Sequence, residues 1–165
     1  MIAKVACTLA ATVTTGLLAG LFYSYCISVM RALAGTDDRT FIEVMQRINV
    51  AIVNPWFLIS FLGSIACTAA AVVAHLKGDR ALLVWLIAAL VLNLVGFAVT
   101  VAANVPLNDR LARLDLGGDL ALARAQFETD WVRWNVARTV AHTAAFVVLA
   151  WTLVLEQVPA QATSS

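Results

Sequence analysis

Charged residues are scarce in this chain of 165 residues: 13% are Asp, Glu, Lys or Arg, whereas 62% are hydrophobic. Soluble domains average about 25% charged and about 45–50% apolar residues. A soluble domain of this size could not hide so much apolar side chain, because small domains keep a large fraction of their area exposed. The composition excludes a typical soluble enzyme, a disordered chain and a secreted disulfide scaffold, and it predicts an integral membrane protein.

Metal-ligating residues are also few. The chain has two histidines, and Cys7, Cys26 and Cys67 lie in apolar stretches without a CxxC motif, as small buried hydrophobic residues would. The apolar runs contain no carboxylate, so we predict no zinc, di-iron or haem site. Lys and Arg nearly balance Asp and Glu at a net charge of +1, which argues against nucleic acid as a partner.

Four long runs lack any charged residue and locate the membrane spans. A spanning helix needs about 20 apolar residues, and its backbone must satisfy its own hydrogen bonds in hydrocarbon. We therefore predict an all-α, integral membrane four-helix antiparallel bundle, a single domain over 1–165 with a flexible tail at 156–165. The first run exceeds the about 7–15 residues of a signal-peptide core, so we interpret it as retained. The predicted spans are residues 5–30, 50–76, 81–104 and 132–155. In span four the charge-free run begins at residue 139, and Arg133 and Arg138 precede it.

The first and third connections are long enough to hold amphipathic helical segments. In loop 1, Thr36, Asp37 or Asp38 can cap a short helix whose apolar residues recur at helical spacing. In loop 3, we expect Pro106 to end span three, and Asn108 or the residue after it to start a turn of helix.

Polar and aromatic side chains concentrate on one membrane face. Antiparallel crossing places the C-terminal ends of spans one and three beside the N-terminal ends of spans two and four. The candidate site residues on this face are Tyr23, Tyr25, Gln46, Asn49, Asn104, Asn108, Trp131, Trp134, Asn135, Arg138 and His142.

Span four carries the most informative pattern. Trp131, Asn135, Arg138 and His142 follow one another at spacings that place them on one helix face. Arg and His are costly in a bilayer and usually face the bundle interior or a wet cavity. We expect such a pocket, in which Arg138 bonds to the amide side chains of residues 49, 104 and 108.

A simpler interpretation exists for each of these residues. Trp131 and Trp134 can be interfacial anchors, Arg138 can snorkel to the headgroups, and His142 can be a hydrogen-bonded core residue.

Two motifs are distinctive: Asn-x-Pro-Leu-Asn after span three and Trp-x-x-Trp-Asn-x-x-Arg in span four. Together with several other segments, they resemble the anthrone-oxygenase-like family of small four-helix membrane proteins, long catalogued as a domain of unknown function. The resemblance implies an oxygenase activity, since the characterised fungal relatives oxidise anthrones to anthraquinones with O₂ and no identified cofactor. The segments that carry the resemblance are residues 16–22, 45–49, 104–108, 127 and 131–138. The candidate site residues to which the resemblance extends are Gln46, Asn49, Asn104, Asn108, Trp134, Asn135 and Arg138.

Our hypothesis for the chemistry assigns His142 as the base and Arg138 as the group that holds a developing oxyanion. The amides would add hydrogen bonds, and the residues expected to wall a flat aromatic ring are Tyr23, Tyr25, Trp131 and Trp134. The alternative is a lipid-, quinone- or small-molecule-binding membrane protein without catalysis, either as a homo-oligomer or as a subunit of a complex.

The basic residues predict an orientation in the cell membrane. Lys and Arg are more frequent at the end that carries the candidate site, which by the positive-inside rule faces the cytoplasm.

Overall fold

The structure is a computed structural model that describes residues 2–162, with side chains through residue 157. Within these residues it consists of α-helices and two π-helical segments, the π1 and π2 segments. In chain order these are α1 (Ile2–Ser24), π1 (Tyr25–Val29), α2 (Met30–Ala34), α3 (Asp38–Ala51), α4 (Pro55–His75), α5 (Arg80–Val99), π2 (Thr100–Asn104), α6 (Val105–Ala112) and α7 (Leu120–Ala162).

Four helical stretches are long and apolar enough to cross a membrane, which confirms the predicted all-α membrane bundle. The shortest, α4, has 21 residues, and at a rise of about 1.5 Å per residue it matches a hydrocarbon core of about 30 Å. The protein is therefore an integral membrane protein. The stretches are Ile2–Ala34, Pro55–His75, Arg80–Ala112 and Leu120–Gln157.

The spanning helices form a ring in the order α1, α4, α5, α7. Helix α1 packs against α4 and α7, and α5 packs against the same two neighbours. Helices α3 and α6 lie across one end of the bundle, where both contact α7 and each other. This end, which we call the capped end, carries the candidate site.

Local sequence explains where the helices begin. Asp37 caps α3: its carboxylate accepts hydrogen bonds from the backbone N–H and the hydroxyl of Thr40, which together hold the pKa of Asp37 below its ordinary value. Asn54 accepts from the N–H of Phe57 at the start of α4, and Asp79 accepts from the N–H of Ala81 at the start of α5.

The capped end has its own apolar core and a set of polar contacts made by Arg124. The amphipathic helix α3 buries Phe41, Ile42 and Met45 in this core, as predicted for loop 1. Arg124 of α7 lies over the Phe41 ring and donates to the carbonyl of Thr36 at 2.8 Å, while its Nε bonds to Glu128 at 2.7 Å. Loop 1 is thereby held against α7.

One expectation about helix ends needs correction. Pro106 does not end span three: the helix continues through π2 into α6, and Pro106 lies in the first turn of α6, directly after the π-helical segment. Of the tail predicted at 156–165, residues 156–162 continue α7 as a helix. Residues 163–165 lie outside the described residues.

Candidate functional site

Four polar and aromatic residues share one face of span four, which we call the stripe, and all four are buried. Trp131 is 2% exposed, Asn135 1%, Arg138 6% and His142 0%. Arg138 therefore does not snorkel to the headgroups, and Trp131 is not an interfacial anchor.

The Arg138 guanidinium lies among aromatic rings. Its Cζ is 3.9 Å from the ring centre of Phe22 and 5.3 Å from that of Trp131, both within the range of a cation–π interaction. Its Nε donates to Oδ1 of Asn135 at 3.0 Å. Among the described side chains, no carboxylate pairs with Arg138 and its Nη nitrogens have no hydrogen-bond partner.

The partner of Arg138 differs from the one that we expected. Asn135 precedes Arg138 by one turn of the same helix, so its side chain is adjacent. The amides of Asn104 and Asn108 are instead engaged with Trp131. Asn104 Nδ2 donates to the Trp131 carbonyl at 3.3 Å, and Trp131 Nε1 donates to Asn108 Oδ1 at 2.7 Å. These bonds join α7 to the end of span three.

A cavity of about 260 Å³ opens beside Arg138 at the capped end. Its volume is close to the lower end of the about 300–1,000 Å³ of typical small-molecule sites. Aromatic rings and a few polar groups line it together. The aromatic residues are Phe22, Tyr25, Phe57, Phe61 and Trp131, and the polar ones are Gln46, Asn49, Thr100, Asn108, Asp109 and Arg138.

Helix α3 contributes two amides to this cavity. Gln46 Nε2 donates to the carbonyl of Leu111 at 2.7 Å and so fixes α3 to α6. The Nδ2 of Asn49 is buried and has no hydrogen-bond partner among the described residues. Asn49 and Arg138 therefore both offer unused donors at the cavity wall.

His142 lies one turn deeper than Arg138 and does not line the cavity. Its Nδ1 lies 3.0 Å from Oδ1 of Asn93, and the Asn93 amide nitrogen lies 3.1 Å from Thr15 Oγ1 and 3.2 Å from Thr68 Oγ1. Because the amide oxygen can only accept, Nδ1 carries the proton and Nε2 keeps its lone pair. This Nε2 is buried without a partner.

Two other residues shape the surroundings of His142. The Phe22 ring lies between it and the cavity, at 5.6 Å between ring centres. A Cβ placed on Gly96 would come nearest to Nε2 of His142 and would lie 2.7 Å from Cε1, so only glycine leaves room for the imidazole.

Tyr23 and Trp134 are not brought together with the other predicted site residues. Tyr23 is 52% exposed and Trp134 45% exposed, and neither lines the cavity. Tyr23 lies about 200° around α1 from Tyr25, and Trp134 lies about 60° outward from Trp131 on α7. The interfacial-anchor interpretation remains open for Trp134.

Sequence reasoning missed the aromatic wall and the π-helical segments. Phe57 and Phe61 stack with ring centres 5.2 Å apart, but a phenylalanine in an apolar span carries no signal of its own. The π1 segment contributes Tyr25 to the cavity and π2 contributes Thr100. Such segments are often found at functional sites.

Comparison with known proteins identifies the family of the chain. The sequence model of the anthrone oxygenase family matches residues 56–148, more than half of the chain. The chain belongs to the anthrone oxygenase family. In this anthrone oxygenase family member, the match covers Asn104, Asn108 and the whole stripe in span four, whereas π1 and α3 lie before it. No curated protein and no solved structure matches the chain.

Proposed function

We propose that the protein oxidises a planar aromatic substrate of the anthrone or phenol type with O₂ in the cavity at the capped end. The observation that carries this proposal is the Arg138 guanidinium, buried against Phe22 and Trp131 with unused donors and no carboxylate partner among the described residues. A buried cation favours a ligand that becomes an anion, and the aromatic wall favours a flat one. The family match supports the same substrate class.

The chemistry starts from the acidity of such a substrate. Loss of a proton from the CH₂ group of an anthrone gives an electron-rich enolate, whose oxygen Arg138 and Asn49 can stabilise by hydrogen bonds. The enolate passes an electron to O₂, and the substrate radical and superoxide combine to a peroxide anion on the same carbon. This anion takes back the proton held by the base and becomes a hydroperoxide. Loss of water from the C–H hydroperoxide leaves a carbonyl, so one oxygen atom enters the product and the other leaves as water.

The proposed proton acceptor is Nε2 of His142. The hydrogen bond from Nδ1 to Asn93 sets the tautomer in which this nitrogen keeps a lone pair that can accept a proton. In the structure, Nε2 lies against Gly96, and the Phe22 ring lies between the imidazole and the cavity. Both the Phe22 side chain and the imidazole would therefore have to turn before proton transfer.

The test measures O₂ consumption with an anthrone by purified protein in lipid nanodiscs. Arg138→Gln should lower the turnover rate by about 10²–10³-fold, the usual cost of removing an oxyanion donor. The matched control is Arg133→Gln on the same helix, since the Arg133 side chain is 78% exposed and should not affect turnover. Full activity of Arg138→Gln would disprove the proposal.

Two further variants separate the roles. His142→Gln can still donate to Asn93 but has no basic lone pair, so it should be inactive and folded. If it keeps full activity, His142 is not the base, and Asp109→Asn tests the carboxylate at the cavity instead. A protein that retains a quinone or lipid but consumes no O₂ would favour the non-catalytic alternative.

A further inference from the structure

A second buried polar cluster lies at the end of the bundle opposite the cavity. It joins three helices: Thr8 of α1, His75 at the end of α4 and Glu156 of α7. The His75 and Glu156 side chains are 3% and 5% exposed, and Thr8 is fully buried. Ionisable side chains in such surroundings are rare in spanning helices and commonly mark functional sites.

Its contacts are short and well defined. Nε2 of His75 lies 3.1 Å from Oε1 of Glu156, and the Thr8 hydroxyl lies 2.8 Å from the same oxygen. Nδ1 of His75 lies 2.8 Å from the backbone carbonyl of Ala71. Oε2 of Glu156 is buried and has no partner among the described residues.

The donors and acceptors of this cluster require an extra proton. A backbone carbonyl can only accept, so Nδ1 of His75 must carry hydrogen. An ionised carboxylate can also only accept, so the contact between Nε2 and Glu156 needs a proton on one of the two atoms. The pair is therefore either imidazolium with carboxylate or imidazole with carboxylic acid. Without this proton, two lone pairs would face each other in a site of low dielectric.

We propose that His75 and Glu156 form a proton-binding site, which holds one shared proton at neutral pH and fastens α7 to α1 and α4. The site is independent of the cavity. Among the described side chains, four other charged groups lie near this end: Lys4 of α1 is partly exposed, and Lys77, Asp79 and Arg80 of the turn between α4 and α5 are exposed. None of them forms an ion pair with the cluster among the described residues.

The two histidines of the chain provide an internal control for a test by ¹⁵N NMR at neutral pH. Both Nδ1 atoms carry hydrogen, and Nε2 of His142 should carry none. Nε2 of His75 should carry hydrogen unless the proton lies on Glu156. Signals are assigned with His142→Gln. We expect either an imidazolium pattern for His75 or, by infrared spectroscopy, a carboxylic acid band that disappears in Glu156→Gln. A bare Nε2 in His75 together with an ionised Glu156 would overturn the proposal.

Thermal unfolding provides a second measurement. In Glu156→Gln, the amide can donate to Nε2 of a neutral His75, so this variant needs no extra proton. The melting temperature of the wild type should fall by several degrees relative to Glu156→Gln as the pH rises from neutral to alkaline, because the proton is lost. The control Glu43→Gln makes the same change on α3, at a side chain 35% exposed. If Glu156→Gln and Glu43→Gln have parallel pH profiles, the proposal fails.

Discussion

At the scale of single residues, the buried polar network around Asn93 is packed with no room to spare. Asn93 bonds to α1 through Thr15, to α4 through Thr68 and to α7 through His142. Gly96, on the helix of Asn93, leaves the space that the imidazole occupies. The network therefore requires glycine at position 96 as well as the polar atoms that form its hydrogen bonds.

Gly96→Ala should therefore destabilise the protein. Its Cβ would lie within 2.8 Å of ring atoms of His142, and the ring would have to leave Asn93. Overpacking of this kind costs about 1–3 kcal/mol. Thermal unfolding in nanodiscs measures the effect against Gly20→Ala, where a Cβ would meet nothing within 4 Å. Equal melting temperatures of the two variants would contradict the prediction.

The burial of the polar stripe in span four could be predicted from its spacing, but the partners of its residues could not. Helical periodicity places Trp131, Asn135 and Arg138 on one face whatever they contact. Which amide meets the guanidinium depends on helix rotation, and Asn135 proved nearer than Asn104 or Asn108. The contact of His75 with Glu156 was missed for the same reason.

At the scale of elements, the two π-helical segments set the rotation of the helices at the capped end. Each changes the hydrogen-bond register within a helix that otherwise continues. The charge-free runs predicted the spans, because charged residues are excluded from the hydrocarbon core and this exclusion is visible in the amino-acid composition. A change of register by one residue alters no composition, so π1 and π2 left no sign in the sequence.

Deletion of Val101, which is 48% exposed in π2, should restore a regular helix and leave the residues after it in place, because a π-helical turn holds one residue more than an α-helical turn. Deletion of Val95, which is 49% exposed in the regular part of α5, should instead rotate those residues by about 100° and break the bonds of Asn104 and Asn108 to Trp131. Each lost bond costs about 0.5–1.5 kcal/mol. Melting temperature and O₂ consumption of the two deletion variants are compared. Similar values for both deletions would contradict the prediction.

At the scale of the whole molecule, the two ends of the bundle differ in the number of basic residues. Of the Lys and Arg residues, eight lie at the capped end and three at the other. The four spans follow from the sequence, but the side of the membrane on which the cavity opens stays a prediction of the positive-inside rule.

Cysteine labelling of intact cells tests this orientation. In a background without Cys7, Cys26 and Cys67, a membrane-impermeant maleimide should modify Lys77→Cys in the turn between α4 and α5. It should reach Gly117→Cys only after the cells are permeabilised. The reverse pattern would place the cavity on the outer face.

The lack of a carboxylate partner for Arg138 among the described residues also has a practical consequence. A fixed cation in a poorly screened cavity produces a positive electrostatic potential. The affinity of a ligand should therefore depend more on its negative charge than on its size. Planar organic anions that resist oxidation should accordingly act as inhibitors and as stabilising additives during purification, and they can be screened before the natural substrate is known.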